Sequence, residues 1–111
     1  MAFHPVLRED ELPSGDRRTV KIAGRDVALF HLGDGYYAID NTCPHRGGPL
    51  GEGDLNGHLI HCPLHAWCFD LRTGNSPVYT MARVMTFEVR VREGMIEVSD
   101  EGRLPPFPEI S

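Results

Sequence analysis

Four soft metal donors stand in two short clusters in this chain, and no other feature restricts its fold as much. Cys43 is followed two positions on by His45, and after sixteen intervening residues Cys62 is followed three positions on by His65. Neither pair can complete a coordination sphere alone, so the chain must bring two loops face to face and hold them there. Glycines that allow tight turns follow both pairs: Gly47, Gly48, Gly51 and Gly53 after the first and Gly74 after the second. The segment from Asn41 to about Tyr79 therefore reads as a loop-rich insertion carried by a more regular scaffold, the usual position for functional groups.

The scaffold reads as β structure. Arg18–Ile22 (RTVKI), Val27–Leu32 (VALFHL) and Tyr36–Ile39 (YYAI) are rich in β-branched and aromatic residues. Turn-formers at Ala23-Gly24-Arg25-Asp26 and Gly33-Asp34-Gly35 separate them. Met85–Val91 alternates, with Phe87, Val89 and Val91 on one face and Glu88, Arg90 and Arg92 on the other. After a turn at Arg92-Glu93-Gly94, Met95–Val98 is its expected hairpin partner. The one helical signal is a single turn around Glu9–Leu12, stopped by Pro13 and Gly15. The proline-rich tail Leu104–Ser111 either hugs the domain or frays.

Three readings of the donors compete. Cysteine and histidine can be small buried groups, but four in paired array is a poor match to that. Zinc accepts two cysteines and two histidines, yet its ligands usually come as Cys with Cys and His with His, and a one-residue gap is awkward on one tetrahedral ion. In a [2Fe–2S] cluster with mixed ligands, two thiolates hold one iron and two imidazoles the other, so each loop serves both metals and the short gap is no obstacle. Three cysteines in all, an odd number, argue against a disulfide framework.

The run CPHRGGPLGEGDLNGHLIHCPLHAWCFDLRTG resembles Rieske-type [2Fe–2S] ferredoxins, and ELPSG, DGYYAIDN and FEVRVREGMIEV extend the likeness along most of the chain. The resemblance implies an all-β Rieske fold, an antiparallel β-sandwich base with a small loop-rich cluster-binding subdomain (about 41–79), in one domain over residues 1–111. It implies one cluster per chain, with Cys43 and Cys62 on the inner iron and His45 and His65 on the outer. Pro49, Leu64, Trp67 and Pro77 are expected to shield the cluster from water. Cys68, the remaining thiol, reads as a small buried residue on a strand Cys68–Leu71. His4, His31, His58 and His61 read as structural or surface histidines. High-potential Rieske proteins add a disulfide between the ligand loops and two hydroxyl donors to cluster sulfur. Here those positions match Gly48, Leu64, Trp67 and Phe69, which implies a low-potential centre.

A catalytic set is not expected: the sequence has neither a further mononuclear-iron triad nor a dinucleotide fingerprint. A net charge of −5 disfavours nucleic acid and suits a protein partner with a basic patch. With no long apolar run and no signal-like start, the expectation is a cytoplasmic protein that does not engage a membrane. The expected partners are redox proteins. Trp67, where ring-hydroxylating oxygenase ferredoxins more typically have glycine, tips the reading toward the small subunit of an NAD(P)H-dependent nitrite reductase, partnered by its large subunit. The alternative is the ferredoxin that serves a flavin reductase and an oxygenase. A Rieske fold without its cluster, used as a binding module, is the alternative of another class.

Overall fold

A computed structural model describes residues 2–44, 47–64, 67–78 and 82–106, and in these the chain forms nine strands. They are β1 (Phe3–Arg8), β2 (Arg17–Ile22), β3 (Arg25–Leu32), β4 (Gly35–Asp40), β5 (Asp54–Asn56), β6 (Leu59–His61), β7 (Cys68–Asp70), β8 (Thr86–Arg92) and β9 (Met95–Arg103). Every pairing is antiparallel: six strands form a base sheet in the order β1-β9-β8-β4-β3-β2, and β5-β6-β7 form a small second sheet. Among the described residues no helix is long and apolar enough to cross a membrane.

β3 explains how the two sheets become one body. Val27, Ala28, Leu29 and Phe30 are all at most 1% exposed, so this strand is buried on both faces. Because successive side chains point to opposite faces, the four divide into two cores. Val27 and Leu29 join Leu7, Ile22, Ala38, Phe87, Ile96 and Val98 in the base core. Ala28 and Phe30 join Ile39, Leu50, Ile60 and Phe69 in an upper core that also contains Cys43 and Cys62. A flat six-stranded sheet is about 24 Å wide at ~4.8 Å per strand, too wide for one cluster of side chains. The base core nevertheless takes a residue from each of the six strands, so the sheet curls around it.

The expected strands are all present, with ends within about two residues except at β9. The β8–β9 hairpin closes through Glu93 (φ 52°) and Gly94 (φ 78°), the paired left-handed conformation of a tight hairpin turn. The helical turn is a short 3₁₀ helix, Glu9–Glu11, followed by fully buried Leu12. β5 was not expected from the sequence, and two further features were not legible. β1 contains Pro5, which argues against a strand, but β1 is an edge and has a bulge, since Pro5 pairs with Glu97 while Leu7 pairs with Ile96. The end of β9 (Ser99–Arg103) is polar and loop-like in composition, but it is held by backbone pairs from both sides, Ser99 with Phe3 and Gly102 with Phe87.

The division of β3 gives a prediction. Phe30→Ala removes a fully buried ring from the upper core and should cost about 3–5 kcal/mol. Leu29→Ala opens the base core instead, at about 2–5 kcal/mol. Urea denaturation should show one cooperative transition for both variants; separate transitions for the two cores would contradict the shared-strand account.

Candidate metal centre

The first cysteine loop leaves β4 through a clamp built on Asn41. Its carbonyl accepts from Leu50 N–H (2.7 Å) and its side-chain Oδ1 from Gly51 N–H (2.8 Å), while its own N–H donates to Asp26 carbonyl (3.0 Å). One residue thus ties both limbs of the loop to the start of β3. Beyond it, Cys43 N–H donates to Gly48 carbonyl (2.9 Å) and Gly47 N–H to Cys43 carbonyl (2.8 Å). Thr42 bridges Pro49 across the neck. Asn41 was not singled out from the sequence; a carboxamide two residues before a cysteine carries no signal until the returning limb is known.

The second loop joins β6 to β7, and it closes in the same way. Cys62 N–H donates to Trp67 carbonyl at 2.8 Å, a span of five residues, as from Cys43 to Gly48. Both cysteines are buried, at 1% and 4% exposure, and both belong to the upper core. The loops lie face to face: a Cβ added at Gly48 would stand 2.7 Å from Cys62 Sγ and 3.1 Å from Leu64 Cγ. Gly48 is therefore required by close approach, and positions 48 and 64 are neighbours that carry no thiols.

This cradle suits a soft, thiolate-bound group. Two thiols from separate loops share one apolar core, at a point where the opposing backbone comes too close for a methyl group. His45 and His65 lie outside the described residues. Among the described residues no three Cys, His, Asp or Glu side chains gather into a metal-binding group.

The expected shielding residues have different surroundings. Trp67 is half-buried against the upper core, its ring edge-on to Phe69 with centroids 6.5 Å apart. Pro49 is half-buried, Leu64 is 61% exposed and Pro77 is exposed. Cys68 is buried on β7, as expected of a small packing residue.

The four other histidines lie away from the cradle or beside it on strands. His4 bonds Asp100 and His31 bonds the Leu12 carbonyl while stacking on Tyr36; His61 sits half-buried on β6. His58, in the β5–β6 turn, meets Asp34 of the β3–β4 turn at 2.8 Å, and the Tyr37 hydroxyl donates to the same carboxylate oxygen at 3.0 Å. The hydrogen bond from His58 is the main reason the Asp34 carboxyl is held below its ordinary range. On the other flank, Arg17 donates to Gly53 carbonyl at 2.5 Å. These contacts strap the small sheet to the base on two sides. Asp70, the last residue of β7, holds Arg72 through a fork of 3.0 and 2.8 Å, and that pairing is the main cause of its lowered carboxyl.

A family model for the Rieske [2Fe–2S] domain matches residues 2–88. This chain belongs to that family. The family's [2Fe–2S] cluster is its cofactor, and the all-β fold expected from the resemblance is the fold observed. Several relatives of the same size are ferredoxins. Ferredoxin CarAc of Metapseudomonas resinovorans is 37% identical over 95 residues, 83% of this chain and 87% of that one. The ferredoxin component of the naphthalene 1,2-dioxygenase/salicylate 5-hydroxylase systems of a Ralstonia species is 35% identical over 83 residues, 74% of this chain and 80% of that one. Among solved structures, the complex of reduced oxygenase and oxidized ferredoxin in carbazole 1,9a-dioxygenase contains a chain with TM-score 0.82 and 33% identity, over 92% of this chain and 96% of that one. A structure described as a nitrite reductase NADPH small subunit gives TM-score 0.76 and 26% identity, over 89% of this chain and 99% of that one. The Rieske protein is thus a ferredoxin-type electron carrier, and its relatives favour the oxygenase alternative over the nitrite reductase that Trp67 suggested.

Two predictions follow from the site. Gly48→Ala should displace the Cys62 limb and lower the iron retained per chain, measured by metal analysis after anaerobic purification; full retention would mean the loops do not meet at Gly48. The Asp70 carboxyl is depressed in the folded state, so its pairing stabilises the fold above about pH 3.9 and is lost as pH falls through the lowered folded value. Arg72→Ala should therefore destabilise the Rieske protein at pH 7 and narrow the gap between its stabilities at pH 7 and pH 3, as read from urea denaturation. An unchanged gap would discount the pair.

Proposed function

We propose that this chain is the ferredoxin component of a ring-hydroxylating oxygenase system, carrying single electrons from a flavin reductase to the oxygenase. The observation that carries the electron-transfer part is the pair of matching loops, each closed by its cysteine N–H and packed face to face over one core. The ligands are Cys43 and Cys62 on one iron and His45 and His65 on the other, within a subdomain of about 41–79 in a single domain spanning 1–111. When bound, the cluster would supply one-electron redox chemistry. The chain's own part is to hold the thiolates rigidly and keep water from their side of the site, with Pro49, Leu64, Trp67 and Pro77 as the shield. The oxygenase assignment is supported by the dioxygenase ferredoxin relative and by the oxygenase–ferredoxin complex.

Trp67 and Phe69 bring no hydroxyl to the site, and Phe69 is fully buried in the core that contains both cysteines. Without such donors the extra negative charge of the reduced state is less stabilised, which lowers the potential. A second reading, the small subunit of a nitrite reductase, is favoured by Trp67 and by the structural likeness at 26% identity.

Anaerobically purified protein should hold about two irons and two acid-labile sulfides per chain, with a midpoint of about −150 to 0 mV. Zinc alone or no metal would support the binding-module alternative, and a midpoint above about +150 mV would overturn the low-potential reading. Reduced protein should turn over rapidly with a flavin reductase–oxygenase pair. Stoichiometric co-purification with a siroheme nitrite reductase large subunit, without such turnover, would move the assignment to the second reading.

A further inference from the structure

The segment after β9 is held against the chain. Arg83 Nη1 donates to Pro105 carbonyl at 2.7 Å, and the Pro105 ring lies 3.3 Å from where a Cβ of Gly74 would stand. Both anchors belong to the base of the loop between β7 and β8. There Asn75 bridges Arg83, Val84 N–H donates to Gly74 carbonyl (2.8 Å) and Ser76 N–H to Ala82 carbonyl (3.2 Å). The residues on either side of Arg83 face inward. Ala82 and Val84 are 6% and 3% exposed, and both belong to the upper core with Cys43 and Cys62. A groove of about 250 Å³ separates this base from the first cysteine loop, lined by Thr42, Pro44, Arg83, Val84, Met85 and Leu104 among others.

We propose that Leu104 and Pro105 form a strap and Arg83 is its positioning residue, together setting the potential of the cysteine-bound site by fixing Ala82 and Val84 against it. The inference rests on the ligand reading above. The physical path is short. Pro105 carbonyl holds Arg83, Arg83 fixes the loop base, and the loop base supplies apolar wall to the core containing both thiols. The apolar shell around such a site controls solvent access and therefore its redox potential. Releasing the strap admits water, which stabilises the reduced and more negative state.

The test compares Arg83→Ala, Arg83→Lys and a chain lacking residues 104–111, each first assayed for iron and acid-labile sulfide. Loss of both from the wild-type chain would defeat the ligand reading itself, separately from the strap. With the cluster present, Arg83→Ala and the shortened chain should each raise the midpoint by a threefold or larger change in the reduction equilibrium, about 28 mV at 59 mV per tenfold for one electron. Both should also speed hydrogen exchange at residues 82–84, and combining the two changes should add nothing. Arg83→Lys, which keeps a cationic donor, should recover part of the shift. A midpoint unchanged in the shortened chain would overturn the proposal, whatever Arg83→Ala does, because the effect of Arg83 would then arise from other contacts.

Discussion

Everything in this Rieske protein depends on one strand being buried twice. Val27–Phe30 has no solvent face, and its alternating side chains supply two separate apolar cores from one stretch of backbone. The floor of the cysteine site is therefore the other side of the base sheet, and the two cannot loosen independently. In a small protein, where one core rarely supplies much stability, this coupling lends the base's rigidity to loops that have little regular structure of their own. The straps from Arg17 to Gly53 and from His58 to Asp34 add to it at the flanks.

Much of this was legible in the sequence, for a definite reason. Strands with branched and aromatic residues between glycine turns declare themselves locally, and so do thiol and imidazole pairs with unusual spacing. VALF is expected as a strand, but its burial on both faces is not; its continuous apolar run is the signal that could have shown it. The features that escaped notice depend on partners distant in sequence. Asn41 matters because of Leu50 and Gly51 returning beside it and Arg83 because of Pro105, while Gly48, read as a turn-former, is required by its approach to Cys62. β1 escaped because Pro5 is unfavourable in most strands and acceptable only in the edge position that tertiary structure assigned to it.

The preference between partner systems is weighted differently by the relatives, for a different reason. Trp67 is one residue, and its side chain packs against the upper core beside Phe69. A position that also serves packing says less about which proteins the molecule meets than likeness along the whole chain. Similarity over most of the chain draws on many positions, and relatives named as dioxygenase-system ferredoxins lie among the matches.

The bulge in β1 has a meaning beyond local geometry. An exposed sheet edge is a template on which another chain can add a strand, and a carrier that works by repeated brief encounters gains nothing from an adhesive border. Pro5 removes one backbone donor from that border, and the extra residue at Val6 breaks the even spacing an incoming strand would need. The irregularity that hid β1 from a pattern-based reading is also what makes it an unwelcoming edge.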